Sequence, residues 1–374
     1  MKSRASKIIF TITSHGLGHL TRMTEVIREL YVLYSNVEVI ISTSINKNKI
    51  AAHLPSPFLY RAQDYEPGVV QTNCFEIDVK QTQKAYQIYF KERKSRLKDE
   101  EEFIKRHECL GLISDIPALP VRAAANVGIP AIGLSNFTWD WILTPIFNGG
   151  HFEYIIKQIE NDYRSGKLHI QLPFGPDNSP FYHSEKAPII ARKAKLPKFE
   201  VKRRLNIPNS NSHRLVVVCP GGWDPINWES FHVKGCGAFR FVMVGDLPIT
   251  ADSDCVHLPH ELPYGLTFPD LVQAADILLA KPGYGIASEC LLHNTPLVII
   301  ERPKFRETPY LIDAFRSYGP CFELSLNDFF AGDWEHALMM AARNDFSWKM
   351  VPDNGAKLIA HRLGELLALK ASLI

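Results

Sequence analysis

The chain of 374 residues has no long hydrophobic run, no excess of one charge and no paired-cysteine motif, and each absence excludes something. No apolar stretch reaches the roughly 18 residues of a membrane-spanning helix, so none is expected. Lysine plus arginine (42) nearly balance aspartate plus glutamate (40). A near-neutral chain has no electrostatic footprint for nucleic acid or for an anionic membrane surface. The seven cysteines, Cys74, Cys109, Cys219, Cys236, Cys255, Cys290 and Cys321, are odd in number and scattered without C-x-x-C spacing. That usage fits reduced, mostly buried thiols in a cytoplasmic protein. No H-E-x-x-H or Cys/His cluster suggests a metal, and neither a G-x-S-x-G elbow nor a Walker A loop occurs. Residues 1–7 are polar and basic, but the apolar run after them is too short for a secretory leader and reads as a strand.

What the chain does have is alternation. Apolar runs at 8–12, 37–43, 110–114 and 131–134 alternate with helical periodicity at 23–33, 82–107 and 120–127. This predicts a parallel sheet covered by helices. A proline-rich stretch at 171–188 reads as a linker or domain crossing. A second series follows, with strands at 215–219, 239–244, 277–279 and 297–300 and helices after 268, 283 and 309. At 46% hydrophobic residues the chain can bury two cores. The expected domains are 1–170 and 185–345, with a final helix at 355–374 packing back on the first. Two such halves imply a cleft, with ligands off the carboxyl ends of the strands.

The loops at those strand ends carry the candidate chemistry. Thr13-Ser14-His15-Gly16-Leu17-Gly18-His19 joins a strand to a helix. Its glycines permit close approach, the helix start favours an anion, and histidine is suited to moving protons near neutral pH. Asp115 ends a later strand, where it can orient a histidine or act as a base. Asn136, Trp139 and Asp140 form a polar-aromatic cluster suited to a sugar ring; a buried tryptophan pair is the plainer alternative. In the second half, Pro220-Gly221-Gly222-Trp223 and Lys281-Pro282-Gly283-Tyr284-Gly285-Ile286-Ala287-Ser288-Glu289 are glycine turns, the latter opening a helix. Lys281 adds a positive charge and Glu289 suits ribose hydroxyls, although each turn also reads as ordinary punctuation. Residues 302–309 form a charged loop, and 64–78 a long irregular one of the kind that tends to be functional.

Together, Gly18-His19-Leu20 and Gly283-Tyr284-Gly285-Ile286-Ala287-Ser288-Glu289 followed by Thr295-Pro296 resemble nucleotide-sugar glycosyltransferases of the GT-B fold, such as the peptidoglycan GlcNAc transferase and the UDP-glycosyltransferases. Ser114-Asp115, Arg122-Ala123-Ala124-Ala125, Ser135-Asn136-Phe137-Thr138-Trp139-Asp140 and 281–289 more closely resemble the glycosyltransferase-like amino-terminal half of the plant L-arabinokinases, over nearly the whole chain. No kinase phosphate-loop pattern occurs, so kinase activity is not implied. The resemblance implies an α/β GT-B fold of two Rossmann-like domains. It also implies a metal-independent transfer from a nucleotide sugar, most simply a UDP-sugar, to a small-molecule or lipid-linked acceptor, with no cofactor beyond that co-substrate. By position it implies His19 as base, Gly283 and Gly285 in the diphosphate turn, and Glu289 on the ribose. Tyr284 and Ser288 fall in the same donor segment, and Glu307 is nearest to the donor-sugar contact. His15, Gly16, Gly18, Asn136, Trp139 and Asp140 fall on the acceptor side. No counterpart of the uracil-stacking tryptophan appears at 258–263. Two other expectations share the fold: a nucleotide-sugar hydrolase or epimerase, and a nucleotide-sugar-binding module without catalysis.

Overall fold

The computed structural model describes residues 5–147, 150–208, 213–221, 229–343 and 345–371. The chain divides into two compact units: Met1–Val70, Ile77–Ile190 and Pro352–Ile374 form the first, and Gln71–Glu76 with Ala191–Val351 the second.

In chain order the first stretch runs β1 (Ser6–Ile12), α1 (Leu17–Leu33), β2 (Val37–Thr43), α2 (Lys47–His53), β3 (Leu59–Ala62), β4 (Gln71–Asn73), β5 (Glu76–Ile77), α3 (Val79–His107) and β6 (Gly111–Asp115). It continues through α4 (Leu119–Asn126), β7 (Ala131–Ser135), α5 (Trp139–Leu143), α6 (His151–Arg164), β8 (Leu168–Gln171) and β9 (Ser184–Lys186). Seven of these strands form a sheet ordered β3-β2-β1-β6-β7-β8-β9, every adjacent pair parallel. The central strands are buried on both faces and therefore read as continuous apolar runs: Ile8, Ile9, Phe10 and Ile12 are all 0% exposed. The edge differs. Ser184, Glu185 and Lys186 of β9 are all exposed, a polar edge that discourages further pairing. This strand lies inside the stretch read as a linker, and the chain leaves the first unit only after Ile190, not between 170 and 185.

The second unit contains α7 (Lys198–Arg204), β10 (Arg214–Cys219), β11 (Phe231–Val233), β12 (Phe239–Val244), β13 (Ile249–Ala251), β14 (Cys255–Leu258), α8 (Phe268–Ala274), β15 (Ile277–Ala280), α9 (Tyr284–His293), β16 (Leu297–Ile300), α10 (Glu307–Arg316), β17 (Cys321–Leu324), α11 (Leu326–Ala331) and α12 (Glu335–Ala341). Its sheet is ordered β14-β12-β10-β15-β16-β17 and is again parallel throughout. One core cluster here joins Val216, Val218, Phe241, Phe329 and Trp334 with Cys74 and Phe75 from the first third of the sequence. The final helix, α13 (Gly355–Leu366), belongs to the first unit and packs on α1. All seven cysteines are free thiols, five of them buried.

Candidate functional site

Each sheet reverses its strand order once, and several of the candidate residues lie at the strand ends beside that reversal. In the first unit the reversal lies between β1 and β6, whose carboxyl ends are in register at Ile12 and Asp115. A reversal opens a crevice off the strand ends where a ligand fits. The turn after β1 is tied to β6 by the Thr13 N–H, which donates to the Asp115 carbonyl at 2.8 Å. Gly16 at φ +109° caps α1, a backbone conformation open to glycine and strained for other residues. The helix therefore starts at Leu17, earlier than the periodicity from 23 predicts, and Gly18 and His19 lie in its first turn rather than in the loop.

That early start sets the geometry. His19 and Arg22 are three apart and share one helix face, which they turn into the protein: His19 is 8% and Arg22 3% exposed. His19 Nδ1 lies 2.9 Å from Asp115 Oδ1. Arg22 grips the same carboxylate as a fork, Nε donating to Oδ2 at 2.6 Å and Nη2 to Oδ1 at 2.5 Å. Its Nη1 donates to Asn136 Oδ1 at 2.7 Å, at the end of β7. Burial pushes the Asp115 carboxyl up, but the charges and hydrogen bonds of Arg22 and His19 outweigh it and hold the group below the usual carboxylate range. Asp115 therefore stays ionised and can only accept. The Nδ1–H tautomer of His19 would donate to it, with the lone pair on Nε2. Arg22 Nη2 also lies 2.9 Å from Nδ1, so the same guanidinium bears on both members of the pair.

Arg22 was not among the residues singled out, although its place three after His19 is the signal for it. Phe137 was also missed as a site residue; its ring stands edge-on to His19 at 5.9 Å. His169 of β8 sits between Ser135 Oγ (3.0 Å) and Ser179 Oγ (2.8 Å), and burial pushes it down to about 4, so it is neutral at physiological pH. One acceptor-side expectation changes. Trp139 is 1% exposed and packs against the edges of His15 and Phe137. It supports the turn and presents no face to a sugar. Asp140 lies in the first turn of α5, where burial pushes its carboxyl up to about 6. His15 is half-buried in the turn, close under Gly68.

In the second unit the reversal lies between β10 and β15. Gly221 follows β10 and is buried; Gly222 lies outside the described residues. β15 ends at Ala280, Lys281 follows half-buried, and Gly283 caps α9. A Cβ at Gly283 would meet nothing within 4 Å, so the approach to the α9 N-terminus there is open. The first turn of that helix carries no acidic residue and no side-chain cap, which leaves its N–H groups and positive dipole end to an anion. Gly285 is half-buried one position into the helix, and Tyr284 is buried. Two expectations meet a different geometry. Ser288 is fully buried, and its hydroxyl donates to the Tyr284 carbonyl at 2.7 Å, so it serves the helix and not a ligand. Glu289 is 3% exposed and its Oε1 accepts from Arg192 Nε at 2.6 Å, so the carboxylate expected on a ribose is already ion-paired. Glu307 begins α10, half-buried. Among the described residues no group of three or more His, Cys, Asp or Glu is placed to hold a metal ion, and no helix is long and apolar enough to cross a membrane.

No protein-family model matches the chain. It is similar to the L-arabinokinase of Arabidopsis thaliana, 28% identical over 366 residues. That match covers 95% of this chain and 34% of the other, so the chain spans about a third of the length of its curated relative. Among solved structures, a Phytolacca americana UGT2 bound to UDP-2fluoro-glucose and pterostilbene superposes with a TM-score of 0.62 at 11% identity, over 98% of this chain and 95% of that one. The glycotransferase of kitacinnamycin gives 0.60 at 13%, over 98% and 94%, and the calicheamicin glycosyltransferase CalG4 gives 0.55 at 14%, over 98% and 94%. Two parallel α/β units, each reversing strand order at its candidate site, and these whole-chain superpositions establish that the protein has the GT-B fold.

Proposed function

We propose that this protein is a glycosyltransferase that moves a sugar from a nucleoside-diphosphate sugar, most simply a UDP-sugar, to an acceptor hydroxyl without a metal ion. The observation that carries the reading is the buried His19–Asp115 contact of 2.9 Å at the strand-order reversal of the first unit. Asp115 keeps the proton on Nδ1, and Nε2 of His19 takes the proton of the acceptor hydroxyl. The freed oxygen attacks the anomeric carbon as the bond from that carbon to the diphosphate oxygen breaks, with inversion. The negative charge that develops on the diphosphate is met by the α9 N-terminus at Gly283, the turn at Gly221 and the charge of Lys281. Arg22 keeps Asp115 ionised and aimed. Glu289 reaches a ribose only if Arg192 yields or shares it.

The test separates binding from chemistry. UDP and a panel of UDP-sugars are screened by thermal shift, where a ligand at 100 times its Kd adds about 2.7 kcal/mol of stability. His19→Ala should keep that shift and lose transfer by at least about a hundredfold, within the range typical of general base catalysis. A variant that transfers at the wild-type rate removes His19 from the role. Release of free sugar without an acceptor assigns hydrolysis instead. Donor binding without turnover across a broad acceptor panel assigns a binding module. No shift with any nucleotide overturns the reading as a whole.

A further inference from the structure

Apart from His19 and Asp115, the first unit has a polar concavity on α3, α4 and α6. It measures about 500 Å³ and is lined by Arg93 of α3, Arg122 of α4 and Arg164 of α6, with Gln158, Asp162 and Tyr182 among its other walls. That volume lies within the ~300–1,000 Å³ usual for small-molecule sites. Asp162 is the one deeply buried charge, its side chain 4% exposed. Arg93 is its nearest partner, Nη2 donating to Oδ1 at 2.5 Å. Arg122 adds a second guanidinium to the same oxygen at 3.4 Å, and its Nη2 donates to the Asn161 carbonyl. Its Nη1 has no partner among the described residues. Arg164 is held loosely, at 3.3 Å from Asn161 Oδ1 and 3.4 Å from Glu160 Oε2. Three guanidiniums therefore line the concavity with one carboxylate, Asp162, while Glu160, outside the lining, is shared by Arg164 and Lys157. Planar guanidinium forks match a phosphate dianion in geometry as well as charge. The Tyr182 side chain, 77% exposed, stands among the walls as an accessible ring.

We propose that this cavity binds a phosphorylated small molecule of sugar-phosphate size, with its phosphate on Arg122 and Arg164. The site is independent of the glycosyl-transfer reading. Glucose 1-phosphate is the probe, titrated calorimetrically into the full chain at low salt with UDP at saturation, so that any nucleotide site is already filled. Glucose and inorganic phosphate form the other arms. Glucose 1-phosphate should bind and glucose should not, and the affinity should fall as salt rises. Arg164→Gln and Arg122→Gln should each weaken binding at least tenfold. Arg164→Gln is the variant that keeps the fold, since its contacts to Asn161 and Glu160 are long, 3.3 and 3.4 Å, and an unchanged melting temperature verifies this. Inorganic phosphate binding as tightly as the sugar phosphate would overturn the assignment of ligand size. Absence of binding by any phosphate, or unchanged affinity in both variants, would overturn the site.

Discussion

At the scale of single residues, the first unit is dominated by buried charge. Arg22 and Asp115 are 3% and 0% exposed and form one bidentate pair. Removing one partner of such a pair strands the other, typically at about 3–5 kcal/mol. Arg22→Met should therefore lose about that much stability in urea unfolding at neutral pH. Because the folded Asp115 carboxyl sits below its ordinary range, its contribution is present above the unfolded value and is lost as pH falls through the folded one. The gap between wild type and Arg22→Met should thus narrow in acid; a gap independent of pH would mean that Asp115 is not its source. Glu66 behaves in the opposite sense. Its Oε1 accepts from the N–H groups of Ala118 (2.6 Å) and Leu119 (3.0 Å) at the start of α4, yet burial pushes its carboxyl up to about 7. A carboxyl that gains protons on folding costs stability as pH rises from the ordinary glutamate value through that point. Glu66→Gln keeps an acceptor for both N–H groups and removes the charge. At about 1.4 kcal/mol per pH unit, it should be more stable than wild type by up to about 3 kcal/mol at pH 8, with no advantage near pH 4.

At the scale of elements, what matters is how closely helices dock. α13 meets the segment before α7 with almost no clearance: a Cβ on Gly355 would lie 2.4 Å from the Pro188 carbonyl oxygen and 2.5 Å from that of Ile189. Both are backbone atoms and cannot swing aside. Gly355→Ala should therefore cost about 1–3 kcal/mol, the usual range for overpacking, measured by urea unfolding. A loss under about 0.5 kcal/mol would mean that α13 shifts freely on its bed. The element matters because α13 packs on α1, which carries His19 and Arg22. Much at this scale was legible. The apolar runs of β1, β6 and β10 predict their strands because strands buried on both faces leave no polar position. β9 escaped because its exposed Ser184, Glu185 and Lys186 carry no apolar signal. The start of α1 escaped because Gly16, read as part of a strand-to-helix turn that permits close approach, is the helix cap.

At the scale of the whole molecule, the chain order and the spatial order part company at two places, the return of Pro352–Ile374 to the first unit and one shorter segment. Residues 71–76 lie in sequence within the first unit and in space within the second. Phe75, 2% exposed, stands edge-on to Phe329 at 5.6 Å and to Phe330 at 6.0 Å. The Gln71 side chain accepts from Arg302 Nη2 at 3.3 Å. The irregular stretch at 64–78 is thus in part core. Phe75→Ala should cost about 3–5 kcal/mol, as for other buried aromatics, and the loss should fall on the second unit. Hydrogen exchange is the check: amides of β10 and β12 should lose protection while those of β1 and β2 keep theirs. Earlier loss in β1 and β2 would place Phe75 in the wrong core.

The sequence by itself determined the alternation of strands and helices, the two α/β series and the loops that hold the candidate chemistry. Those follow from local pattern, since burial on two faces, glycine turns and strand-end polar residues are written in neighbouring positions. Only the tertiary structure decided which of those residues meet. It brought Arg22 and Asp115 together across 93 positions, paired Glu289 with Arg192, turned Trp139 and Ser288 inward, and set Phe75 in a core far along the chain. The reason is physical: which side chains pair or pack together depends on distances in space between residues remote in sequence, and local periodicity does not encode those partners.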